Sequence, residues 1–181
     1  MTHNLLLGPD AQIRQSLQAL RAFQGNGQIA APRTDLHAGI FVNTDPEAAV
    51  AGRYIARRDG LISLSMQATS GTQARWQALH IPMGPALLGK ELATIGTVIR
   101  ARADTPNSIQ LCVRSGQNEG FVDTFFSKSL QVTAEETTHL DIIELNTTPA
   151  LPREAAWRDM IMFFPAGAVD IDILDMRFFI V

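Results

Sequence analysis

Val169-Asp170-Ile171-Asp172-Ile173-Leu174-Asp175-Met176-Arg177-Phe178-Phe179-Ile180-Val181 is the stretch whose reading decides the fold. Val169, Ile171 and Ile173 alternate with acidic residues, the period-two pattern of a strand with one face in a core. The apolar phase then slips by one residue to Leu174, Met176, Phe178 and Ile180. Because a one-residue slip turns every later side chain to the other face, the pattern predicts a β-bulge near Ile173-Leu174.

Upstream, the same alternation recurs in short segments. Arg58-Asp59-Gly60 separates Tyr54-Ile55-Ala56 from Leu61-Ile62-Ser63-Leu64-Ser65-Met66. Asp-Gly supplies the positive φ of a tight reversal, so this is read as a hairpin with Ile62, Leu64 and Met66 in the core. Further strands are expected at residues 38–42, at 76–81 ended by Pro82, at 93–103, 109–114, 121–126, 129–133, 138–145 and 158–164. Thr44-Asp45-Pro46-Glu47 has the form of a capping box opening a turn or two of helix. So many short strands at this spacing specify an all-β fold, an antiparallel β-sandwich with jelly-roll character.

Ahead of the strands, Ile13, Leu17, Leu20 and Phe23 form one apolar stripe after Pro9-Asp10, and Gly25-Asn26-Gly27 stops it. This is a short amphipathic helix expected to pack across one end of the sandwich. Residues 25–36, rich in Gly, Asn, Pro and small polar side chains, read as loop. The expected organisation is a single domain, with helix and loop (1–36) packed on a sandwich (37–181).

Composition removes several function classes. The chain has 181 residues, 46% hydrophobic, with a formal net charge of −3. With no basic cluster beyond Arg57-Arg58, nucleic acid is not an expected partner. No apolar run approaches the ~18 residues a spanning helix needs, so a membrane is not expected either. The single cysteine, Cys112, forms no internal disulfide, and Leu5-Leu6-Leu7 is too short for a secretory h-region. The expected location is cytoplasmic.

From Tyr54 onward the order of elements resembles the jelly-roll carbohydrate-binding modules of the galactose-binding-like superfamily. The residues that carry the resemblance are the hairpin ending in Leu61-Ile62-Ser63-Leu64, Trp76-Gln77-Ala78-Leu79-His80-Ile81-Pro82, the Gly89-Lys90 turn, and Thr97-Val98-Ile99-Arg100-Ala101-Arg102-Ala103-Asp104 before Pro106. Ile171-Asp172-Ile173-Leu174-Asp175-Met176 echoes the acidic, aliphatic closing strand of such modules. The resemblance implies sugar binding without cleavage, aromatic rings laid on pyranose faces, and in many members a structural calcium held by acidic residues near both termini. Here Asn4-Leu5-Leu6-Leu7-Gly8 lacks the Phe-Glu pair that follows in those modules, so no metal is assigned.

The residues themselves offer little chemistry. Asp170, Asp172 and Asp175 have the spacing of hard-cation ligands, but they read as an outward acidic face that discourages edge pairing. His3, His37, His80 and His139 lack metal spacing, Cys112 lacks a nucleophile signature, and no Gly-rich phosphate loop precedes a helix. No catalytic residue and no cofactor are expected.

Two groups of residues suit recognition. Trp76 and Trp157 are flat apolar rings able to cover the C–H face of a sugar, with Arg158 and Asp159 beside Trp157. Each tryptophan reads more readily as a core-rim residue with its N–H satisfied, Trp76 more so than Trp157. The second group lies in a hairpin spanning residues 109–126. If residues 115–120 are its loop, Arg114 faces Phe121, Cys112 faces Asp123 and Gln110 faces Phe125, while Ile109, Leu111, Val113, Val122, Thr124 and Phe126 form a core face. Arg114, Phe121, Asp123 and Phe125 then make an outer face that either binds a ligand or is covered by another part of the chain. The resulting expectation is a non-catalytic protein whose partner is a glycan or polysaccharide. The alternative is a homo-oligomerising or protein-partner-binding β-sandwich without a sugar ligand.

Overall fold

A computed structural model describes residues 8–86, 88–117 and 119–181; His3 and the 4–7 stretch lie outside them. The helix is α1 (Ala11–Ala22). The strands are β1 (Gly25–Ala30), β2 (Arg33–His37), β3 (Ile40–Thr44), β4 (Ala51–Ala56), β5 (Ile62–Gln67), β6 (Gln77–Gly84) and β7 (Thr94–Arg102). They continue with β8 (Asn107–Gly116), β9 (Phe121–Phe125), β10 (Leu130–Val132), β11 (Thr137–Glu144), β12 (Arg158–Phe163) and β13 (Val169–Ile180). A back sheet has the order β1-β4-β5-β13-β7-β11, and a front sheet the order β10-β8-β12-β6-β3-β2 with β9 also on β8. Every pairing is antiparallel. The expected β-sandwich is present.

Alternation decides what lies between the sheets. Val169, Ile171 and Ile173 of β13 meet Ile62, Leu64 and Met66 of β5, while Leu79, Ile81, Met160 and Met162 come from the front sheet. The bulge falls where the phase slip placed it: Ile173 pairs with Ala101 and Asp175 with Arg100, leaving Leu174 as the extra residue. Beyond it Met176, Phe178 and Ile180 return to the core.

β5 accompanies β13 only as far as Ile173. α1 packs beside the remainder of β13 and reaches β6 of the other sheet. Its buried stripe is Ile13, Leu17 and Leu20. Arg21 donates to Asp175 Oδ1 at 2.9 Å and to the Met176 carbonyl, which places a donor on the strand edge that β5 leaves open.

Three local expectations are corrected. Residues 25–36 are not loop: β1 and β2 are edge strands, each bonded on one side only among the described residues. Pro82 does not end its strand; it sits inside β6 opposite Asp159, beside a register shift at Arg158-Asp159 where a proline is tolerated. The 109–126 hairpin closes more tightly than expected, with Gln117 N–H donating to the Gly120 carbonyl at 3.0 Å. Arg114 therefore faces Asp123, Cys112 faces Phe125 and Gly116 faces Phe121. The shift is two residues, so the two faces keep their membership.

Asp45 fastens the loops around β3 and β6. Its side chain is fully buried and accepts Glu47 N–H at 3.1 Å, Arg75 N–H at 3.0 Å and Arg75 Nε at 2.8 Å. The Arg75 side-chain bonds hold its carboxyl well below the usual carboxylate range. A depressed folded-state value adds stability that is full above the unfolded value near pH ~4 and is lost as pH falls through the folded one. Asp45→Asn is therefore expected to lower the thermal midpoint at neutral pH and to shrink the gap to wild type progressively below about pH 4. Calorimetry from neutral to strongly acid pH checks this; midpoints that fall in parallel would exclude Asp45 as a source of acid sensitivity.

Candidate ligand-binding face

The outward side of the front sheet is built by the residues that alternation turns away from the core: Phe41 and Asn43 on β3, Ala78, His80 and Pro82 on β6, Asp159, Ile161 and Phe163 on β12, Arg114 on β8. Pairing brings them into rungs. The central rung runs Phe41, His80, Ile161, Cys112, Phe125 across five strands. At ~4.8 Å per strand it is about 19 Å long. The next rung runs Pro82, Asp159, Arg114, Asp123.

Planar groups stack along this face. Phe41 lies on His80 with centroids 4.5 Å apart and planes 14° from parallel, and the Arg33 guanidinium sits 3.6 Å from the Phe41 centroid. Phe125 and Phe163 are 6.0 Å apart, and the Arg114 guanidinium is 3.8 Å from the Phe121 centroid. Ala78, Ile161 and Cys112 form an apolar floor with Phe163 against it. Burial pushes the Cys112 thiol up to about 12, so it stays protonated.

Charges on the face are paired. Arg114 grips Asp123 through two bonds of 2.7 Å, and the carboxylate partner sets His80 Nδ1 as donor to Asp159 Oδ2 at 3.1 Å. Arg33 holds Asp35 at 2.7 Å. Along the central rung His80, Ile161 and Cys112 are buried and Phe41 lies between His80 and Arg33; the rings that stand exposed are Phe121 and Phe125, with Trp157 beside Phe121.

Of the residues expected from sequence, Arg114, Phe121, Asp123, Phe125 and Trp157 come together. Trp157 is 41% exposed and lies flat over Gly116, where an added Cβ would fall 2.2 Å from its Nε1. Gly116 pairs with Phe121, which is 54% exposed, so the two rings flank one glycine. Trp76, in phase with Ala78 and His80, stands at the other end of the β6 and β12 pair, roughly 26 Å along β6 from Gly84 at ~3.3 Å per residue.

Arg158 is a correction. Consecutive strand residues point to opposite faces, so an outward Trp157 and Asp159 force Arg158 inward. It is 1% exposed, and donates to the carbonyls of Pro85 (3.2 Å), Ala86 (3.3 Å) and Pro152 (2.7 Å) and to Ser115 Oγ. Burial lowers its pKa to about 10. It holds the loops beneath the face and does not reach a ligand.

Phe41, His80, Asp159, Phe163 and Arg33 were missed as members. Their outward phase was readable within each strand, but the strand order that assembles them was not. Asp172 and Asp175 of β13 lie on the back sheet and are engaged by arginines: Asp172 accepts from Ser63 and Arg102, Asp175 from Arg21 and Arg177. Those bonds hold both carboxyls below the ordinary range against the opposing effect of burial. Among the described residues no helix is long and apolar enough to cross a membrane.

No protein-family model matches this sequence, and no curated protein sequence matches it. Solved structures do match its fold. The CBM22-1 xylan-binding domain from Paenibacillus barcinonensis Xyn10C superposes with a TM-score of 0.51 at 12% identity, over 90% of this chain and 91% of that one. A family 11 carbohydrate-binding module from Clostridium thermocellum, in complex with a beta-1,3-1,4-mixed-linked tetrasaccharide, superposes with a TM-score of 0.46 at 8% identity, over 84% and 87%. The fold is the jelly-roll β-sandwich found in carbohydrate-binding modules.

Two substitutions separate support from surface. Arg158→Ala removes the donor shared by three carbonyls, of which that of Ala86 is buried, and by the buried Ser115 hydroxyl; at ~1–3 kcal/mol for each buried polar group left unpaired it is expected to cost more than about 2 kcal/mol in urea unfolding. A loss below about 1 kcal/mol would show that the loops do not depend on it. Gly116→Ala is expected to leave the fold intact and lift Trp157 off the sheet, seen as a red shift in tryptophan emission relative to wild type.

Proposed function

We propose that this chain binds a neutral glycan across the front sheet and does not turn it over. The observation that carries the reading is the exposed row of rings Trp157, Phe121 and Phe125 on a front sheet whose carboxylates are already paired. A pyranose offers an apolar C–H face and a rim of hydroxyls, and this row offers ring faces with fixed donors and acceptors beside them. Paired charges disfavour a strongly anionic or cationic ligand, which would have to compete with the bonds of Arg114 and Asp123. The fold shared with a xylan-binding domain supports the same reading.

Binding without turnover follows from what surrounds the polar groups. The His80 and Asp159 pair has no activated nucleophile at hand: Cys112 is fully buried with its thiol protonated, and Ile161 separates it from His80 along the rung. Glycoside cleavage needs two carboxyl groups placed on either side of the scissile bond. Asp123 and Asp159 are instead bound to Arg114 and His80.

Calorimetric titration with soluble neutral polysaccharides, xylan and mixed-linked β-glucan first, tests the proposal. Phe125→Ala and Trp157→Ala are each expected to weaken binding roughly 30-fold, about 2 kcal/mol for loss of a stacking anchor, at an unchanged thermal midpoint. Leu140→Ala on the back sheet is expected to have no effect. Failure of the wild-type chain to bind any neutral glycan in such a panel would sink the reading.

A further inference from the structure

We infer that β9 is a self-pairing edge through which two copies of this chain join their front sheets. Among the other edges, β2, β10 and β11 carry protection against such pairing. β2 presents the Arg33 and Asp35 ion pair and a register shift, and β10 has three residues. β11 turns a charge inward: Asp141 is 2% exposed and accepts from Ser127 Oγ and Lys128 N–H, which ties the preceding loop to that strand. Inward charges, ion pairs and shortness are the usual means of blunting an edge. β9 has no inward charge and no register shift, and its one acid, Asp123, is turned to the outer face and bound by Arg114 of β8. Among the described residues no strand pairs with its outer side, and it displays Phe121 and Phe125 at 54% and 49% exposure.

The occupant is a second copy because the strand complements itself. Phe121-Val122-Asp123-Thr124-Phe125 reads alike in both directions in side-chain size and branching, with Asp123 at its centre. Phe126 N–H donates to the Leu111 carbonyl and Gln117 N–H to that of Gly120, so even-numbered residues of β9 direct their backbone groups to β8. Phe121, Asp123 and Phe125 therefore direct theirs outward. Antiparallel pairing about a twofold axis at Asp123 sets Phe121 opposite Phe125 of the second copy, twice, and each facing pair exchanges two backbone hydrogen bonds. Cross-strand aromatic pairs stabilise such a ladder. The two central carboxylates tolerate the approach because each is already bound by its own Arg114. Five residues a side bury well under the ~1,200 Å² of a stable interface, so the association is weak and concentration-dependent.

This inference does not rest on glycan binding, and its test contains no sugar. Sedimentation equilibrium of the wild-type chain is expected to show a mass rising from monomer toward dimer as concentration approaches the millimolar range. Register is read by oxidative cross-linking in a Cys112→Ser background. A mixture of Phe121→Cys and Phe125→Cys chains is expected to cross-link as the mixed dimer, since facing Cα atoms ~5.5 Å apart suit a disulfide. Either variant alone should give little, because its thiols stand four residues apart along the ladder. A wild-type chain that stays monomeric throughout overturns the inference, as does cross-linking of one variant alone as efficient as that of the mixture. The wild-type measurement stands even if a cysteine variant misfolds.

Discussion

β13 must satisfy two neighbours that do not run level, and one surplus residue makes this possible. Without Leu174 as a bulge, the phase set by Val169, Ile171 and Ile173 would continue to Asp175, Arg177 and Phe179, and two charged side chains would enter the core at prohibitive desolvation cost. With it, Met176, Phe178 and Ile180 enter instead. The charges turn outward, where Asp175 meets Arg21 and Arg177. The early stop of β5 leaves an open length of β13, and α1 lies beside it. Bulge, helix and the short β5 are thus parts of one arrangement.

The front sheet draws its functional character from the same alternation. Within Trp157-Arg158-Asp159 the ring goes out, the guanidinium in and the carboxylate out. Arg158 then gathers Pro85, Ala86, Pro152 and Ser115 beneath the surface on which Trp157 lies. A loop-edge ring is therefore held by buried bonds one residue away, which lowers the ordering cost of presenting it. His80 is treated similarly: Phe41 covers one side of its ring and Asp159 fixes one nitrogen.

Burial on one side only is what made parts of the fold legible. β13 with its bulge and the hairpin of β4 and β5 could be read because a single face of each is apolar. β1 and β2 could not, since an edge strand with Ile29 as the one buried residue of β1 has the composition of a loop. The register of β8 and β9 also escaped, because a shift of two residues leaves each face with the same members, and turn closure alone distinguishes the registers. In the site, Phe121 and Phe125 were legible from their own strand. Phe41, His80, Phe163 and Phe125 become neighbours only through the order β3-β6-β12-β8-β9, and no local pattern encodes contacts between residues 41, 80, 163 and 125. Arg158 was misplaced by grouping it with Trp157 on one surface although a strand was expected from residue 158; on a strand, neighbours in sequence point to opposite faces.

Recognition and self-association, if both proposals hold, draw on the same few side chains. Arg114 stacks on Phe121 and neutralises Asp123, so it shapes one end of the ligand row and removes the charge that would otherwise oppose pairing of β9. Two copies joined at Asp123 would carry their front sheets as one surface, with the two rows meeting at the twofold axis. A polymer of repeating sugars could then engage the second row at high effective concentration once it is held by the first. A weak edge contact is enough in that situation, because the polymer supplies the proximity that a small interface cannot. The exposed phenyl rings of β9 have a role in both arrangements, which is a physical reason for such a strand to go without an inward acid like that of β11.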